Sequence, residues 1–288
     1  TTLTPDATAS GSVAATTTSG GASRFRWWLR DGWVMTRRNL VHISREPMQL
    51  SDVTIQPVLF TVLFVYIFGA AMVLPGGADV QDFLLPGLLA MNLTTSAVGT
   101  AIGLSTDLGT GVIERFRTLP MRPSSVLVGR SASDIAAAAL CTTFVLLTGL
   151  LVGWRPDTGM LGVLAGIGAA LLFSYSLSWA CACLGLRATD PESAQALSFL
   201  IVFPLAFVSN AFAPTQAMPA VLATIAEWNP VSAFTAAVRE LFGNPNPSKA
   251  VDVWPMQHPV AASILWSLLI LAVCVPTAVA MYRRRTAD

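Results

Sequence analysis

The sequence predicts an all-α polytopic membrane protein with six transmembrane helices, an N-terminal amphipathic interface helix and a re-entrant helical hairpin between the fifth and sixth spans. Composition is the first reason: 53% of the 288 residues are hydrophobic, 11% are charged, and the mean hydropathy is +0.62. Soluble domains carry about 25% charged residues. The second reason is that apolar stretches of about 20 residues, enough for one helical crossing of a bilayer, recur along the chain.

The six predicted spans lie near residues 53–74, 83–105, 126–152, 160–186, 195–213 and 259–281. In the fifth span Pro204 removes a backbone donor, and Pro214 follows the span. We therefore expect a kinked helix there, which membrane proteins tolerate because neighbouring helices satisfy the freed backbone groups.

Two segments precede the first span. Residues 1–23 are mostly Thr, Ser, Ala and Gly and lack a signal-peptide pattern, so we expect a disordered cytoplasmic tail. Residues 24–52 alternate arginines with aromatic and apolar side chains, which predicts an amphipathic helix in the membrane interface; a soluble amphipathic helix is the alternative. Its candidate contact residues are Arg30, Trp33, Arg37 and Arg38. The transmembrane domain then covers residues 53–285.

The basic residues predict the orientation. With a cytoplasmic N-terminus, 14 of the 17 basic residues lie on the cytoplasmic side: six before the first span, four after the second, one after the fourth and three at the C-terminus. Because cytoplasmic loops are enriched in Lys and Arg, both termini are expected in the cytoplasm. The alanine content and the preference for arginine over lysine suggest a GC-rich bacterial genome, and the predicted location is the bacterial cell (inner) membrane.

The sequence carries no motif for catalysis or cofactor binding of its own. A phosphate-binding P-loop needs Gly-Lys-Ser/Thr, and the only lysine, Lys249, lies in a proline-rich loop. His42 and His258 stand far apart without ligand-like neighbours, so neither a metal site nor a catalytic residue is predicted. A net charge of +1 does not suggest a nucleic-acid partner.

The predicted spans are poor in ionisable residues. Asp107 and Asp134 lie near span ends and no charge falls at a predicted midplane, which disfavours transport driven by a proton gradient. Hydroxyl and amide side chains are present instead, and they serve either helix packing or a substrate path. The candidates for these two roles are Asn92, Thr95, Ser178, Phe207 and Asn210.

Two loops are the most informative segments. Residues 108–121, after the second span, predict a short helix with an apolar stripe and charged flanks that could dock a partner; a solvated loop is the alternative. Its candidate residues are Val112, Ile113, Glu114, Arg115, Phe116, Arg117, Leu119 and Pro120. Residues 214–243 are too apolar for an exposed loop and too short to span, which predicts the re-entrant or interfacial hairpin. Its candidate residues are Trp228, Asn229, Pro230 and Arg239.

Several short segments are more specific together than singly: residues 56–60, 68–69, 83–87, 111–120, 203–210 and 229–230. Together they resemble the permease subunits of ABC-2 type exporters, in particular the daunorubicin/doxorubicin-resistance permease family. The resemblance extends from about residue 24 to residue 285. The Thr/Ala-rich stretch before residue 24 departs from the family pattern.

The resemblance implies a six-helix permease that dimerises, with a homodimer expected, and that binds two copies of a separate ABC ATPase subunit. That subunit would bind ATP and Mg. Residues 114–120 look like the coupling helix seated in a cleft of the ATPase, and residues 24–52 are similar to the interface helix that also touches it. ATP binding would move the coupling helices and rearrange the permease by alternating access.

The predicted function is therefore export of an amphipathic or lipid-like small molecule across the membrane. The separate ABC ATPase subunit would power this export, and membrane lipids would surround the permease. A pathway without charged residues costs little to open to apolar groups. The alternatives are a non-transporting membrane scaffold that recruits a cytoplasmic partner, and a gradient-driven drug antiporter. A lipid-modifying enzyme is the least favoured, because the sequence shows no catalytic constellation.

Overall fold

The structure, a computed structural model, describes residues 47–71, 79–109 and 124–285. Its helices are α1 (Pro47–Ala71), α2 (Val80–Ser96), α3 (Val98–Gly109), α4 (Ser124–Val152), α5 (Met160–Gly185), α6 (Pro191–Phe207), α7 (Ala220–Glu227), α8 (Pro230–Phe242), α9 (Trp254–Gln257) and α10 (Pro259–Arg285), with 3-10 turns at Thr215–Ala217 and Pro247–Ala250. These ranges contain no β-strand, so the all-α class is confirmed for them.

Among the residues that the structure describes, four helical stretches are long and apolar enough to cross a membrane: Val80–Gly109, Ser133–Val152, Met160–Gly185 and Pro259–Arg284. They correspond to the predicted second, third, fourth and sixth spans. The predicted first and fifth spans correspond to shorter apolar helices, Thr54–Ile67 and Pro191–Phe207. The described residues thus contain several helices that could span a membrane, while six crossings stay a prediction.

The second predicted span consists of two helices in direct succession, α2 and α3. At their junction the amide of Thr100 donates to the carbonyl of Ala97 at 3.1 Å, an i,i+3 bond. One turn earlier the Thr94 hydroxyl donates to the carbonyl of Ala90 at 2.6 Å. Hydroxyl back-bonding and i,i+3 bonds both perturb a regular α-helix, so the span changes its local geometry at Ala97.

The fifth predicted span begins and ends earlier than residues 195–213. Asp190 caps α6, because its carboxylate accepts from the Ser193 amide at 2.8 Å and the Ser193 hydroxyl at 2.7 Å. These hydrogen bonds, with one from the Thr189 hydroxyl, lower the pKa of Asp190 to about 2. At the other end Val208 leaves the helical conformation one turn after Pro204, so this proline precedes a helix end.

The two helices of the predicted hairpin have opposite environments. Helix α7 is largely exposed, and its capping residue Trp228 is 53% exposed. Helix α8 lies in the core against α2, α5 and α10, with most of its apolar side chains buried. The ring of Phe234 stacks on Phe173 of α5 at 4.2 Å, and Phe242 meets Trp154 edge-on at 5.3 Å. The re-entrant placement of the pair in a membrane stays a prediction.

Candidate functional site

The two segments that the sequence predicts to contact an ATPase lie outside the described residues. They are the candidate coupling residues between Val112 and Pro120, and the interface-helix residues Arg30, Trp33, Arg37 and Arg38. The structure describes the helix ends on both sides of the coupling segment, Gly109 of α3 and Ser124 of α4. It also describes the predicted hairpin and the candidate path residues.

Arg239 of α8 is fully buried and is bound by backbone carbonyls. Its Nη2 donates to the carbonyl oxygens of Phe83 at 3.0 Å, Asn210 at 3.0 Å and Ala211 at 3.3 Å, and its Nε donates to Phe83 at 3.3 Å. The guanidinium carbon also lies 3.9 Å from the centre of the Phe83 ring. Among the described residues no carboxylate forms an ion pair with Arg239. The neighbouring Glu240 pairs instead with Lys249, with 3.4 Å between the charged atoms.

This arrangement joins three parts of the chain. Asn210 and Ala211 follow the end of α6 and lie outside any helix, so the arginine supplies donors that a helix would otherwise provide to their carbonyls. Phe83 belongs to α2 and Arg239 to α8. The guanidinium therefore connects α2, α8 and the irregular segment after α6.

Asn210 and Asn229 extend this polar cluster. The amide group of Asn229 caps α8 by accepting from the Val231 amide at 2.8 Å, and donates to the Leu205 and Val208 carbonyls at the end of α6 at 2.7 and 2.6 Å. Asn210 is buried. Its backbone N–H donates to the Ser232 hydroxyl at 2.9 Å, and its side-chain amide donates to the Ser248 hydroxyl at 2.8 Å. Pro230 takes the first turn of α8, where no backbone donor is lost.

Gly87 permits the close approach of α2 to the irregular segment. A Cβ added to Gly87 would lie 2.7 Å from the carbonyl carbon and 2.9 Å from Cα of Ala211, and it would meet the Ala211 oxygen. Residues 83–87, 203–210 and 229–230, which carried the family resemblance, thus meet around Arg239. We call Phe83, Gly87, Asn210, Asn229 and Arg239 the hairpin anchor.

The other candidate path residues bond within their own helices or are exposed. The side chain of Asn92 donates to the Leu88 carbonyl at 2.8 Å, Thr95 to Met91 at 2.9 Å, and Ser178 to Tyr175 at 2.9 Å. Phe207 is 43% exposed and stacks near Phe203 with ring centres 4.3 Å apart. Each of the three polar side chains thus donates a hydrogen bond within its own helix.

A second polar cluster joins α3 to α4 on either side of the coupling segment. Arg130 Nη1 lies 3.2 Å from the carboxylate of Asp107, and its Nη2 donates to the Gly99 carbonyl at 3.1 Å. One turn further along α4, Asp134 accepts from the hydroxyl of Thr100 at 3.0 Å. We call Thr100, Asp107, Arg130 and Asp134 the α3–α4 bridge.

Sequence reasoning missed the bridge as a unit. The sequence shows Asp107 and Asp134 only as charges near span ends, and Arg130 only as one of the four basic residues after the second predicted span. The one local signal is the i,i+4 spacing of Arg130 and Asp134, which places both on one face of a helix. The partner on α3 is 23 residues from Arg130 and is separated from it by the coupling segment, so no periodicity indicates it.

The role that these two clusters can serve is to position helices relative to one another. The hairpin anchor consists of hydrogen bonds and a cation–π contact between elements, and the α3–α4 bridge consists of hydrogen bonds and one ion pair. Within the part of the chain that the structure describes, no group of three or more His, Cys, Asp or Glu side chains could hold a metal ion. The four cysteines are free thiols.

The apolar helices and their exposed faces define a multi-pass helical membrane protein. The chain belongs to the ABC-2 type transporter family, because residues 30–242 match the model of that family.

Known permeases support this assignment. The chain is 33% identical to the daunorubicin resistance ABC transporter permease protein DrrB1 of Streptomyces coeruleorubidus, over 87% of this chain and 85% of that protein. It is 24% identical to the probable doxorubicin resistance ABC transporter permease protein DrrC of Mycobacterium tuberculosis, over 94% and 95% of the two chains. The putative transport permease ycf38 of Porphyra purpurea is 26% identical over 73% of each. The relatives are thus transport permeases by name.

Proposed function

We propose that the chain is the transmembrane permease subunit of an ATP-driven exporter that moves amphipathic or lipid-like compounds, such as a drug, an antibiotic or a lipid, out of the cell. The observation that carries the proposal is membership of the ABC-2 type transporter family over residues 30–242. The 288-residue sequence contains no P-loop, so the proposal assigns ATP hydrolysis to a separate subunit. A separate ABC ATPase subunit would bind ATP and Mg and hydrolyse the nucleotide.

The proposed assembly contains two permease copies, as a homodimer, and two ATPase subunits. Each permease crosses a bacterial inner membrane six times with both termini in the cytoplasm. The exposed apolar faces support membrane lipids or a second copy as neighbours. On α10 such a face includes Leu265, Leu268, Leu269 and Val273, each more than half exposed.

The proposed cargo class follows from the chemistry of the spans. Asn92, Thr95 and Ser178 each donate a hydrogen bond within their own helix, and many large side chains exposed on the apolar helices are hydrophobic. Such surface favours a cargo with a large apolar part over a hydrophilic ion. The relatives named for resistance to daunorubicin and doxorubicin support this class.

Energy is proposed to enter through residues 108–121. This segment connects α3 to α4, and both helices belong to candidate spans. A short helix that is docked in the ATPase would displace both helix ends when the ATPase closes. Residues 24–52 are proposed to lie along the membrane surface and to contact the same subunit.

Glu114→Ala and Arg115→Ala are each expected to weaken binding of the ATPase subunit about tenfold, since charged side chains at an interface contribute up to a few kcal/mol. Membrane insertion should be unchanged, because neither residue lies in a predicted span. The measurement is the affinity of the purified permease for the ATPase subunit in detergent, together with ATP-driven transport in proteoliposomes.

Glu192→Ala is the matched control for Glu114→Ala. It removes the same charge from another predicted cytoplasmic position, the exposed first turn of α6. We expect wild-type binding from this variant. Wild-type binding and transport by both the Glu114 and the Arg115 variants would contradict the assignment of residues 108–121 as the coupling helix.

A further inference from the structure

The backbones of α3 and α4 approach each other at few points, although apolar side chains of both helices belong to one buried core. In the described ranges α3 packs mainly against α5 and α6, whereas α4 packs against α1, α2 and α5, and their backbones make little direct contact. A cavity of about 10 Å³, close to the volume that one water molecule needs, lies between them and is bordered by Arg130, Asp134 and Trp179. The two helices are therefore connected through side chains.

The α3–α4 bridge supplies that connection at two levels. The guanidinium of Arg130 reaches both Asp107 near the end of α3 and the carbonyl of Gly99 near its start. The Asp134 to Thr100 hydrogen bond adds a second contact, so the link resists rotation as well as separation. The ion pair is only partly exposed, with 23% and 38% of the two side chains accessible, which limits its screening by water.

Gly103 shows that the α3 surface accommodates the guanidinium. A Cβ added at Gly103 would overlap Nη2 of Arg130, so the missing side chain leaves the space in which the guanidinium lies. By contrast, a Cβ added at Gly99 would meet nothing within 4 Å. The contact between Arg130 and α3 thus depends on a specific fit as well as on charge.

The position of the bridge gives it a consequence for coupling. Asp107 lies two residues before the end of α3, and Arg130 lies six residues after the start of α4. The bridge thus closes the base of the loop that contains the coupling segment. At the other end of α3 the helical geometry changes at Ala97, which offers a point about which α3 can tilt.

We propose that the α3–α4 bridge makes α3 and α4 move as one body when the coupling segment is displaced, so that its members are positioning residues for coupling. This inference rests on the proposed function. Without the bridge, a push on the segment tilts α3 about Ala97 while α4 stays with its own neighbours. ATP hydrolysis then continues and transport fails.

The test measures the distance between α3 and α4 directly. Spin labels replace two exposed side chains, Thr106 on α3 and Ile135 on α4, in a chain whose four cysteines are replaced by alanine. Distances are measured for the permease–ATPase complex without nucleotide and with ATP. We expect one distance for the otherwise unaltered complex in both states. In Asp107→Asn and Gly103→Ala we expect a shift of about 2 Å or more on adding ATP, the size of helix movements in switching proteins.

A second readout separates coupling from folding. In proteoliposomes, with doxorubicin as the probe, Asp107→Asn and Arg130→Gln should lower the amount transported per ATP hydrolysed about tenfold, while ATPase binding is retained. The double variant should lose no more than either single variant, because the two side chains act as one pair. Glu240→Gln is the control, because it breaks the ion pair between Glu240 and Lys249, and neither residue belongs to α3 or α4.

An ATP-dependent α3–α4 distance in the unaltered complex overturns the inference. So does an unchanged distance in Asp107→Asn and Gly103→Ala. A transport ratio for Asp107→Asn and Arg130→Gln equal to that of Glu240→Gln also overturns it. Failure of the unaltered chain to bind an ABC ATPase is a different result, because it overturns the proposed function itself and the inference with it.

Discussion

Arg239→Ala is expected to lower the free energy of unfolding by about 3 to 5 kcal/mol, combining the cavity left by a large buried side chain with unsatisfied carbonyls. The arginine is the donor for the carbonyls of Asn210 and Ala211, which lie outside any helix. Against a total stability of about 5–15 kcal/mol, this loss is large. The measurement is the midpoint of thermal unfolding in detergent, with the yield of monodisperse protein.

Arg239→Met and Arg155→Ala separate the causes. The methionine fills most of the space but donates nothing, so we expect it to recover only part of the loss. Arg155 is exposed and donates to the carbonyls of Leu150 and Trp154, so its removal should change the midpoint little. Wild-type stability of Arg239→Met would contradict the view that the carbonyl contacts stabilise the hairpin anchor.

Gly87→Ala is expected to destabilise the protein by about 1 to 3 kcal/mol, the usual cost of adding volume to a packed core. The added Cβ would meet the backbone of Ala211, which cannot rotate away as a side chain could. The segment after α6 would have to move, and with it the contacts of Arg239. Thermal unfolding midpoints measure the effect.

Gly168→Ala provides the matched comparison. Gly168 is in α5, is exposed, and a Cβ there would meet nothing within 4 Å. Alanine in an unobstructed helical position stabilises by about 0.5–1 kcal/mol relative to glycine. The two variants should therefore shift the midpoint in opposite directions. A higher thermal unfolding midpoint for Gly87→Ala than for the unaltered protein would show that α2 and Ala211 do not approach as closely as described.

The long apolar helices were predictable because the bilayer imposes their length. Residues 160–186 and 259–281 were expected as spans, and the helices Met160–Gly185 and Pro259–Arg285 follow those limits closely. The early start of α6 was also readable in principle. Asp190 followed by Pro191 is the pattern of a capped helix start, but hydropathy alone placed the start at residue 195.

The hairpin was predictable only in part. Its two short helices follow from the prolines and the apolar content of residues 214–243. Their different burial does not, because α7 and α8 are both apolar and only tertiary packing distinguishes them. Likewise, Arg239 and Phe83 are 156 residues apart, and no spacing in the sequence indicates that the arginine binds the α2 backbone.

Both polar clusters involve backbone carbonyls, which sequence patterns do not report. The sequence shows Arg239 only as a cation in the predicted hairpin, and the structure surrounds it with the carbonyls of Phe83, Asn210 and Ala211. In the same way, Gly99 contributes to the α3–α4 bridge through its carbonyl. Composition locates such charges near the ends of spans, but their partners depend on how the helices pack.

Reconstitution tests the central claim most directly. The purified chain and the ABC ATPase that binds it are placed in proteoliposomes with doxorubicin as the probe, and transport is followed with and without ATP. The account predicts transport that requires ATP hydrolysis and continues when a protonophore dissipates the proton gradient. Transport that persists after ATP depletion and stops with the proton gradient would contradict it, as would stable ATPase binding without any coupled turnover.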